Sequence, residues 1–234
     1  MKNEYGSYKE SNVQWLGLMP KHWSLTKIKN RCFLLPSNVD KKSYKDETSV
    51  KLCNYVDVYY NDFIDGSVDF MEATANDREI KKFQLRKEDV LITKDSEDPF
   101  DIAVPALVTE TQKKLICGYH LSILRSNHEQ NFNGSYLFWV LKDVAIASQL
   151  YREATGITRW AIAIKHVKNS IIPFPPFREQ LKISEYLNNK TAEIEKLKKN
   201  ITKQIETLEQ YRKSIIHECV TGKRRITLDD VKEQ

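Results

Sequence analysis

Three short polar segments carry the side chains of this sequence whose types suit binding or catalysis. The first, YREATGITRW at 151–160, contains Arg152, Thr158 and Arg159. Arginine donates hydrogen bonds to phosphate oxygens and to guanine, and threonine can contact either a phosphate or a base. The segment is therefore a candidate nucleic-acid contact, although ordinary exposed residues beside the end of a helix would show the same pattern.

The other two segments follow expected strands. TKDSEDPFD at 93–101 places Lys94 and Ser96 among four carboxylates, and GYH at 118–120 contributes Tyr119 and His120. Clustered carboxylates can bind a cation, but more often they form turns by accepting hydrogen bonds from their own backbone. We therefore take the lysine and the serine as candidate DNA contacts, together with the tyrosine and the histidine.

A magnesium-dependent nuclease is the enzyme class that these residue types fit best, because such enzymes combine acidic metal ligands with a lysine. Asp69 together with EIK at 79–81 has this pattern. The same spacing of an acid and a lysine recurs at Asp40 and Asp230, as chance produces in a chain rich in both residue types. We predict no catalytic residue and no metal ligand, and the nuclease stands as the alternative.

The glycines and cysteines argue against other kinds of site. The seven glycines are never closer than eleven residues apart, so the sequence contains no glycine-rich phosphate or cofactor loop, and we expect no cofactor on this chain. The four cysteines form no CxxC pair and no small disulfide framework. With no signal peptide and no apolar run of about 20 residues, the sequence predicts a soluble, cytoplasmic protein with reduced thiols and no membrane segment.

Length and charge set the scale of the fold. The chain has 234 residues, of which 41% are hydrophobic, which allows a domain of ordinary size with its own core plus an appendage. Its formal net charge is only +5. A nucleic-acid interpretation must therefore depend on individual side chains rather than on a strong overall field.

The spacing of apolar and turn residues predicts an α+β body. Short β-branched or aromatic runs between Val50 and Asn127 indicate strands, and they are VKLCNYVDVYY, DVLITKD, DIAVPALVTE and LICGYHLSIL. A helical period between Asn133 and Arg152 predicts one helix that covers the sheet, through Leu137, Val140, Leu141, Val144, Ser148 and Tyr151. TGITRWAIAI then returns to turn and strand, with Gly156 free to take a positive φ.

The stretch IIPFPPFREQLKISEYL at 171–187 predicts a stiff joint. Each proline pushes the preceding residue out of the helical region, so Phe174 and Pro175 should be extended. Pro176 suits the start of a helix, and Glu179 suits the positive end of the helix dipole. From Phe177 to Thr221 there is no glycine or proline, which predicts one helix of roughly 65 Å.

Aliphatic residues recur every seven positions along this helix and predict a coiled-coil seam. Lys190 and Gln204 occupy the two remaining seam positions and weaken it. A solvated spacer helix folded onto its own domain is the alternative, and a second long helix is the better fit. The predicted dimerisation residues are Leu187, Ile194, Leu197, Ile201, Ile205, Leu208, Tyr211 and Ile215.

Several stretches together resemble the specificity subunit of type I restriction-modification systems. They are VQWLGLMPKHW, VLITKDSEDPFDIAVPALV, IIPFPPFREQLKISEYLNNKTAEIEKL and YRKSIIHECVTGKRRI. The resemblance implies a target recognition domain with an amino-terminal docking segment at 1–172, a spacer and dimerisation helix at 173–222 and a tail at 223–234. Because the family normally carries this unit twice, the chain resembles a half-length subunit.

The resemblance also implies a function and a set of partners. The chain would be non-catalytic and would recognise double-stranded DNA for a modification (methyltransferase) subunit and a restriction (motor-nuclease) subunit, which would hold S-adenosylmethionine, ATP and magnesium. Two copies would form a homodimer through antiparallel long helices and read a bipartite, palindromic site. A coiled-coil adaptor that binds only protein is, with the nuclease, the competing interpretation.

Overall fold

The computed structural model describes residues 5–127, 131–227 and 230–231. The chain divides into two compact units, Met1–Ser184 and Glu185–Gln234. The first unit mixes strands with short helices, and a long helix extends into the second unit. The predicted α+β class, with a strand-rich domain followed by one long helix, is confirmed.

The strands and helices of the described residues are as follows. The strands are β1 Tyr8–Glu10, β2 Leu18–Pro20, β3 Ser24–Lys27, β4 Cys32–Pro36, β5 Thr48–Cys53, β6 Phe63–Ile64, β7 Met71–Ala75, β8 Val90–Thr93, β9 Asp95–Ser96, β10 Pro105–Val108, β11 Leu115–Cys117, β12 Leu121–Ser126, β13 Ala154–Gly156, β14 Trp160–Ile162 and β15 Ile171–Phe174. The α-helices are α1 Tyr55–Tyr60, α2 Asp77–Phe83, α3 Gly134–Lys142, α4 Val144–Tyr151, α5 Ile164–Asn169 and α6 Phe177–Val220.

A five-stranded sheet of order β4-β12-β8-β10-β6 forms the centre of the first unit. Its strands pair antiparallel except for β10 with β6. Along β8, Val90 and Ile92 enter a core shared with α3 and α4, whereas Leu91 enters a core shared with β5, β7 and β11. The central strand is therefore buried on both faces, which explains its run of apolar residues.

Smaller sheets surround the central sheet. β11-β5-β7 covers the second face, β13-β14-β9 forms beside the end of β8, and β15 pairs with β3. β1 and β2 form a separate antiparallel pair near the amino terminus. These sheets place the acidic segment after β8 next to the hairpin β13–β14, which matters for the site described below.

Only the first part of the predicted strand VKLCNYVDVYY forms a strand. β5 ends at Cys53, and Tyr55–Tyr60 forms helix α1 instead. The backbone N–H of Asn54 donates to the Asp57 carboxylate at 2.7 Å, which closes the first turn of this helix. An asparagine followed three residues later by an acid is a helix-start signal, and it outweighs the β-branched and aromatic composition.

The predicted single helix between Asn133 and Arg152 is also wrong, because it is two helices. Asp143 has extended backbone, and its side chain accepts a hydrogen bond from the Ile146 N–H at 3.0 Å, so it ends α3 and begins α4. Asparagine and aspartate favour such cap positions over helix interiors. The new helix axis leaves Val144 75% exposed, outside the stripe expected to face the core.

Gly156 does not use its freedom to take a positive φ. Its role is steric instead, because a Cβ at this position would lie 2.0 Å from the backbone oxygen of Arg159. The backbones of the two strands of the hairpin β13–β14 therefore approach each other too closely for any side chain at residue 156.

The proline joint is extended and then helical, as predicted. β15 carries Phe174 into an antiparallel pair with β3. The Pro176 carbonyl then accepts hydrogen bonds from the N–H groups of Glu179 at 2.8 Å and Gln180 at 3.1 Å, which starts α6. Prolines that cannot enter a helix interior thus mark its first turn.

Gln180 is fully buried and anchors the first turn of α6 to the rest of its unit. Its amide nitrogen donates to the backbone oxygens of Pro175 at 2.9 Å and Asn131 at 3.2 Å. Its amide oxygen accepts from the backbone N–H of Asn133 at 3.0 Å. One turn later, the Ser184 hydroxyl contacts the Asn133 side chain at 3.2 Å.

Glu179 makes a second anchor at the same turn. Its carboxylate accepts from Trp23 Nε1 at 2.9 Å and contacts His22 Nε2 at 2.7 Å. Burial alone would raise the pKa of this carboxyl, but the bonds from Trp23 and His22 together hold the pKa below its ordinary value. The aromatic segment before β3 thus docks on the start of the helix.

Helix α6 contains 44 residues, which confirms the predicted helix from Phe177 to within one residue of its end. Gly222 follows it with φ +74°, as a helix stop requires. In the second unit, six of the predicted seam residues are 53–65% exposed, and they are Ile194, Leu197, Ile201, Ile205, Leu208 and Tyr211. Leu187 and Ile215 are partly exposed.

The cysteines are free thiols, and Cys32, Cys53 and Cys117 are buried. Burial raises the pKa of each of these three thiols. No helix among the described residues has both the length and the apolar content that a membrane crossing requires.

Gly134→Ala is expected to reduce the free energy of unfolding by about 3 kcal/mol, because the new Cβ would meet a backbone atom that cannot move freely. That atom is the Glu88 oxygen, 2.0 Å away. Gly66→Ala is the control, since its nearest neighbour would be a side-chain oxygen of Glu110 at 3.5 Å. Urea unfolding of both variants tests this, and equal losses would contradict the steric explanation.

Glu179→Gln is expected to lower the free energy of unfolding by about 1 kcal/mol at pH 7, because the hydrogen bonds from Trp23 and His22 lose their charged acceptor. The pKa of this carboxyl is lowered in the folded state, so the stabilisation is present at neutral pH and is lost as the pH falls through the folded pKa. Urea unfolding measures the difference in free energy of unfolding between wild type and Glu179→Gln. This difference should be smaller at pH 4 than at pH 7. Glu185→Gln, on the exposed side of the same helix, should change neither value.

Candidate nucleic-acid interface

The hairpin β13–β14 brings two of the candidate segments together. β13 pairs with β14 through Gly156 and Trp160, and β14 pairs with β9 through Trp160 with Ser96 and Ala161 with Asp95. The segment 151–160 and the acidic segment 93–101 are therefore neighbouring strands of one small sheet. Residues 157–159 form the connecting turn at its end.

GYH joins the same place through the central sheet. Leu121 of β12 pairs with Thr93 of β8, and the Lys94 N–H donates to the His120 carbonyl at 2.9 Å. The loop before β12 thus lies beside the crossing from β8 to β9. All three segments proposed from the sequence meet at one end of the sheet.

Asp95 is the centre of this cluster. Its carboxylate accepts from Arg159 Nε at 3.0 Å and Arg159 Nη2 at 2.6 Å, and it lies 2.8 Å from His120 Nδ1. The carboxylate accepts a hydrogen bond from this nitrogen in the tautomer that carries its proton on Nδ1. We call Asp95, His120 and Arg159 the Asp95 cluster.

Arg159 is the exposed member of the Asp95 cluster. Its side chain is 52% exposed, against 17% for Asp95 and 16% for His120. The hydrogen bonds that Arg159 donates to Asp95 raise the pKa of the guanidinium, which stays charged. Asp95 fixes the orientation of one edge of the guanidinium, and Nη1 makes no hydrogen bond to any residue that the structure describes. This nitrogen is available to an external acceptor.

Lys94 is half-buried and is already engaged. Its Nζ donates to the Ser37 carbonyl at 2.8 Å and lies 5.7 Å from the centre of the Tyr119 ring. Burial lowers the pKa of this lysine. The Tyr119 ring packs against His120 with 3.7 Å between ring centres, and the tyrosine is partly exposed.

The remaining candidates divide between the interior and the surface. Ser96 is buried, and its hydroxyl contacts the Tyr55 hydroxyl at 3.2 Å and the Asp98 N–H at 3.3 Å. Thr158 is exposed in the turn of the hairpin. Arg152 is exposed after α4, and its side chain makes no hydrogen bond or ion pair with the described residues. Six of the seven candidates therefore lie on the three segments that meet at this end of the sheet, and Arg152 lies at the end of α4 instead. The six are Lys94, Ser96, Tyr119, His120, Thr158 and Arg159.

Sequence reasoning missed two residues of this surface. The sequence of 93–101 predicts a turn-forming role for Asp95, yet its carboxylate bonds a residue 64 positions away. Ile157, at the tip of the hairpin, is 94% exposed and is absent from the predicted contacts. Local spacing could not reveal the first contact, whereas an isoleucine between a glycine and a threonine in a turn is a visible anomaly in sequence.

The acidic residues proposed for the nuclease alternative have other contacts. Glu79 accepts from the N–H and the side-chain nitrogen of Asn76, at 3.3 Å and 2.8 Å, and thereby closes the first turn of α2. Its other carboxylate oxygen accepts from Asn38 at 3.2 Å. In the ranges that the structure describes, no three His, Cys, Asp or Glu side chains gather where they could hold a metal ion.

Comparison with known families identifies the domain. A family model described as "Type I restriction modification DNA specificity domain" matches residues 40–207. This chain belongs to that family. The matched range contains the Asp95 cluster, the hairpin β13–β14 and the first part of α6. The cluster is therefore part of a DNA specificity domain.

Solved structures with the same fold agree with the family. One described as "Structural basis underlying complex assembly and conformational transition of the type I R-M system" aligns with TM-score 0.64, 16% identity and 86% of this chain. The HsdS subunit from Thermoanaerobacter tengcongensis aligns with TM-score 0.55, 19% identity and 86%. This chain therefore spans less than half of the length of those two chains, 46% and 45% respectively. A search of curated protein sequences found no significant match.

Proposed function

We propose that the chain is the sequence-specific DNA-recognition subunit of a type I restriction-modification complex. It binds double-stranded DNA and directs adenine methylation and DNA cleavage by separate modification and restriction subunits. The observation that carries this proposal is the match of the DNA specificity family over 40–207, a range that contains the Asp95 cluster.

The geometry of Arg159 supports direct contact with DNA. A guanidinium reads guanine or grips phosphate best when its orientation is fixed before binding, since less conformational entropy is then lost. Asp95 fixes the Nε and Nη2 edge of the guanidinium through two hydrogen bonds and leaves Nη1 available. Thr158, exposed beside it in the turn, adds a hydroxyl that can donate or accept.

The division of labour follows from what the sequence offers. A sequence without a glycine-rich loop supports the assignment of S-adenosylmethionine, ATP and magnesium to the partner subunits, with no catalytic residue in this chain. The hydrogen bonds of Glu79 to Asn76 give this carboxylate a structural role as a helix cap, which supports the non-catalytic assignment over the nuclease alternative. This chain then selects the site, and the partners act on it.

The exposed apolar seam of α6 supports pairing with a second copy. Ile201, Leu208 and their seam neighbours lie more than half exposed on the single chain, which is costly for so many aliphatic residues in one row. In a parallel pair Lys190 would face the same lysine of the second copy inside the seam. An antiparallel pair avoids this repulsion and carries the two recognition domains at opposite ends, for a bipartite palindromic site.

Arg159→Ala is expected to weaken DNA binding. If the arginine reads a guanine, the loss should be about 1–3 kcal/mol, with relaxed specificity at one base position. If it binds a phosphate, binding to all sequences should weaken, and the slope of log affinity against log salt concentration should become smaller by about 1. The duplex is the target found by mapping methylated adenines in cells that carry this chain and its modification subunit. Binding of the assembled complex is then measured over a range of salt concentrations. Arg152→Ala is tested in parallel, and Arg78→Ala, an exposed arginine on α2, is the control.

The recognition assignment would be wrong if Arg152→Ala and Arg159→Ala both left affinity and salt dependence at the wild-type values. Failure of the complex to retain any DNA would instead favour the adaptor that binds only protein.

Ile201→Asp is expected to convert the pair into monomers, because it buries an unpaired charge in the seam. Thr202→Asp adds the same charge on the neighbouring, outward position and should leave the pair intact. Sedimentation velocity across a dilution series measures both variants and the wild type. A wild-type chain that stays monomeric at all concentrations, or equal effects of the two variants, would remove the paired-helix proposal.

A further inference from the structure

Ile157 is the most unusual residue of the hairpin. It is 94% exposed, at the tip of the turn that also carries Thr158 and Arg159. Turn positions favour glycine, asparagine, aspartate and serine, which bond their own backbone or accept unusual dihedral angles. Isoleucine has neither property. Neither the local backbone nor the core accounts for it.

The tip is held in a fixed position. Gly156 allows the backbone to approach the Arg159 oxygen, and Trp160 pairs with Ser96 of β9. Arg159 itself is tied to Asp95 by two hydrogen bonds. Ile157 therefore lies on a braced turn, in which residues on both of its sides are anchored to the sheet.

A single exposed aliphatic residue is ordinary on a protein surface. Ile157 differs because it lies two residues from the exposed arginine of the Asp95 cluster, in a DNA specificity domain. An apolar group and hydrogen-bonding groups side by side match the edges of base pairs in the major groove. There the C5-methyl of thymine is the apolar feature, and it lies next to hydrogen-bond acceptors and donors.

From this arrangement we infer that Ile157 is a specificity-determining residue that recognises a thymine through contact with its C5-methyl group. The inference rests on the proposed function, since it requires the hairpin to enter the major groove. Arg159 and Thr158 then supply the polar contacts to the neighbouring base pair or phosphate. A cytosine or a uracil at the same position lacks the methyl group and loses the contact.

The test uses two randomised duplex libraries, one synthesised with thymine and one with uracil in place of every thymine. The assembled complex of this chain with its modification subunit selects duplexes from each library without the methyl donor, and bound molecules are sequenced. Wild type should prefer thymine at one position by about fourfold in the thymine library, the effect of burying about one methyl-sized group. The same preference should vanish in the uracil library, with the other positions unchanged.

Variants connect the methyl group to the side chain. In the thymine library, Ile157→Ala should lose the preference for thymine at that one position. In the uracil library, Ile157→Ala and wild type should show the same preferences. Ile157→Val, which keeps a branched aliphatic side chain, should retain part of the preference. Val144→Ala, at a 75% exposed aliphatic residue of the same unit, should keep the wild-type preferences throughout.

The outcomes of this experiment distinguish the methyl contact from the proposed function. Identical wild-type preferences in the two libraries would overturn the methyl contact, as would an Ile157→Ala variant with unchanged preferences. A loss of affinity in Ile157→Ala that is equal in both libraries would assign the side chain to a wedge between bases instead, and would also overturn the inference. If wild type enriches no sequence at all, it is the proposed function that fails.

Discussion

The side-chain amide of Gln180 is the group on which the start of the long helix depends. It is fully buried, and its two ends bond backbone groups of Pro175, Asn131 and Asn133. Buried backbone groups that lose a partner cost about 1–3 kcal/mol each, so these three bonds strongly favour one arrangement. Directional bonds of this kind fix the helix start more narrowly than apolar contacts alone, which tolerate small shifts.

Other side chains reinforce that arrangement from different parts of the chain. The Tyr136 hydroxyl donates to the Pro173 carbonyl at 3.2 Å, and Trp23 bonds Glu179. The prolines of 173–176 restrict the backbone locally, whereas these bonds hold the same segment from α3 and from the amino-terminal segment. The local restraint of the prolines and the bonds from distant parts of the chain therefore act on the same segment.

Features set by local sequence could be predicted, and features set by contacts between distant residues could not. The extended joint, helix α6 and its seven-residue repeat all depend on neighbours within one or two turns. The Asp95 and Arg159 contact joins residues that are 64 positions apart and have no shared periodicity. Helix α1 and the break at Asp143 lie between these cases, because their cap residues are local signals that the surrounding composition concealed.

The two-faced burial of β8 has a consequence for how such domains diverge. Val90, Leu91 and Ile92 are all buried, so the strand tolerates little change, while β9, the GYH loop and the turn of β13–β14 lie together at one end of the sheet. Replacement of an exposed turn residue such as Ile157 is expected to cost the sheet beneath it little stability, because this side chain makes few contacts with the core. The residues at this end of the sheet can therefore be exchanged while the buried framework of β8 stays intact.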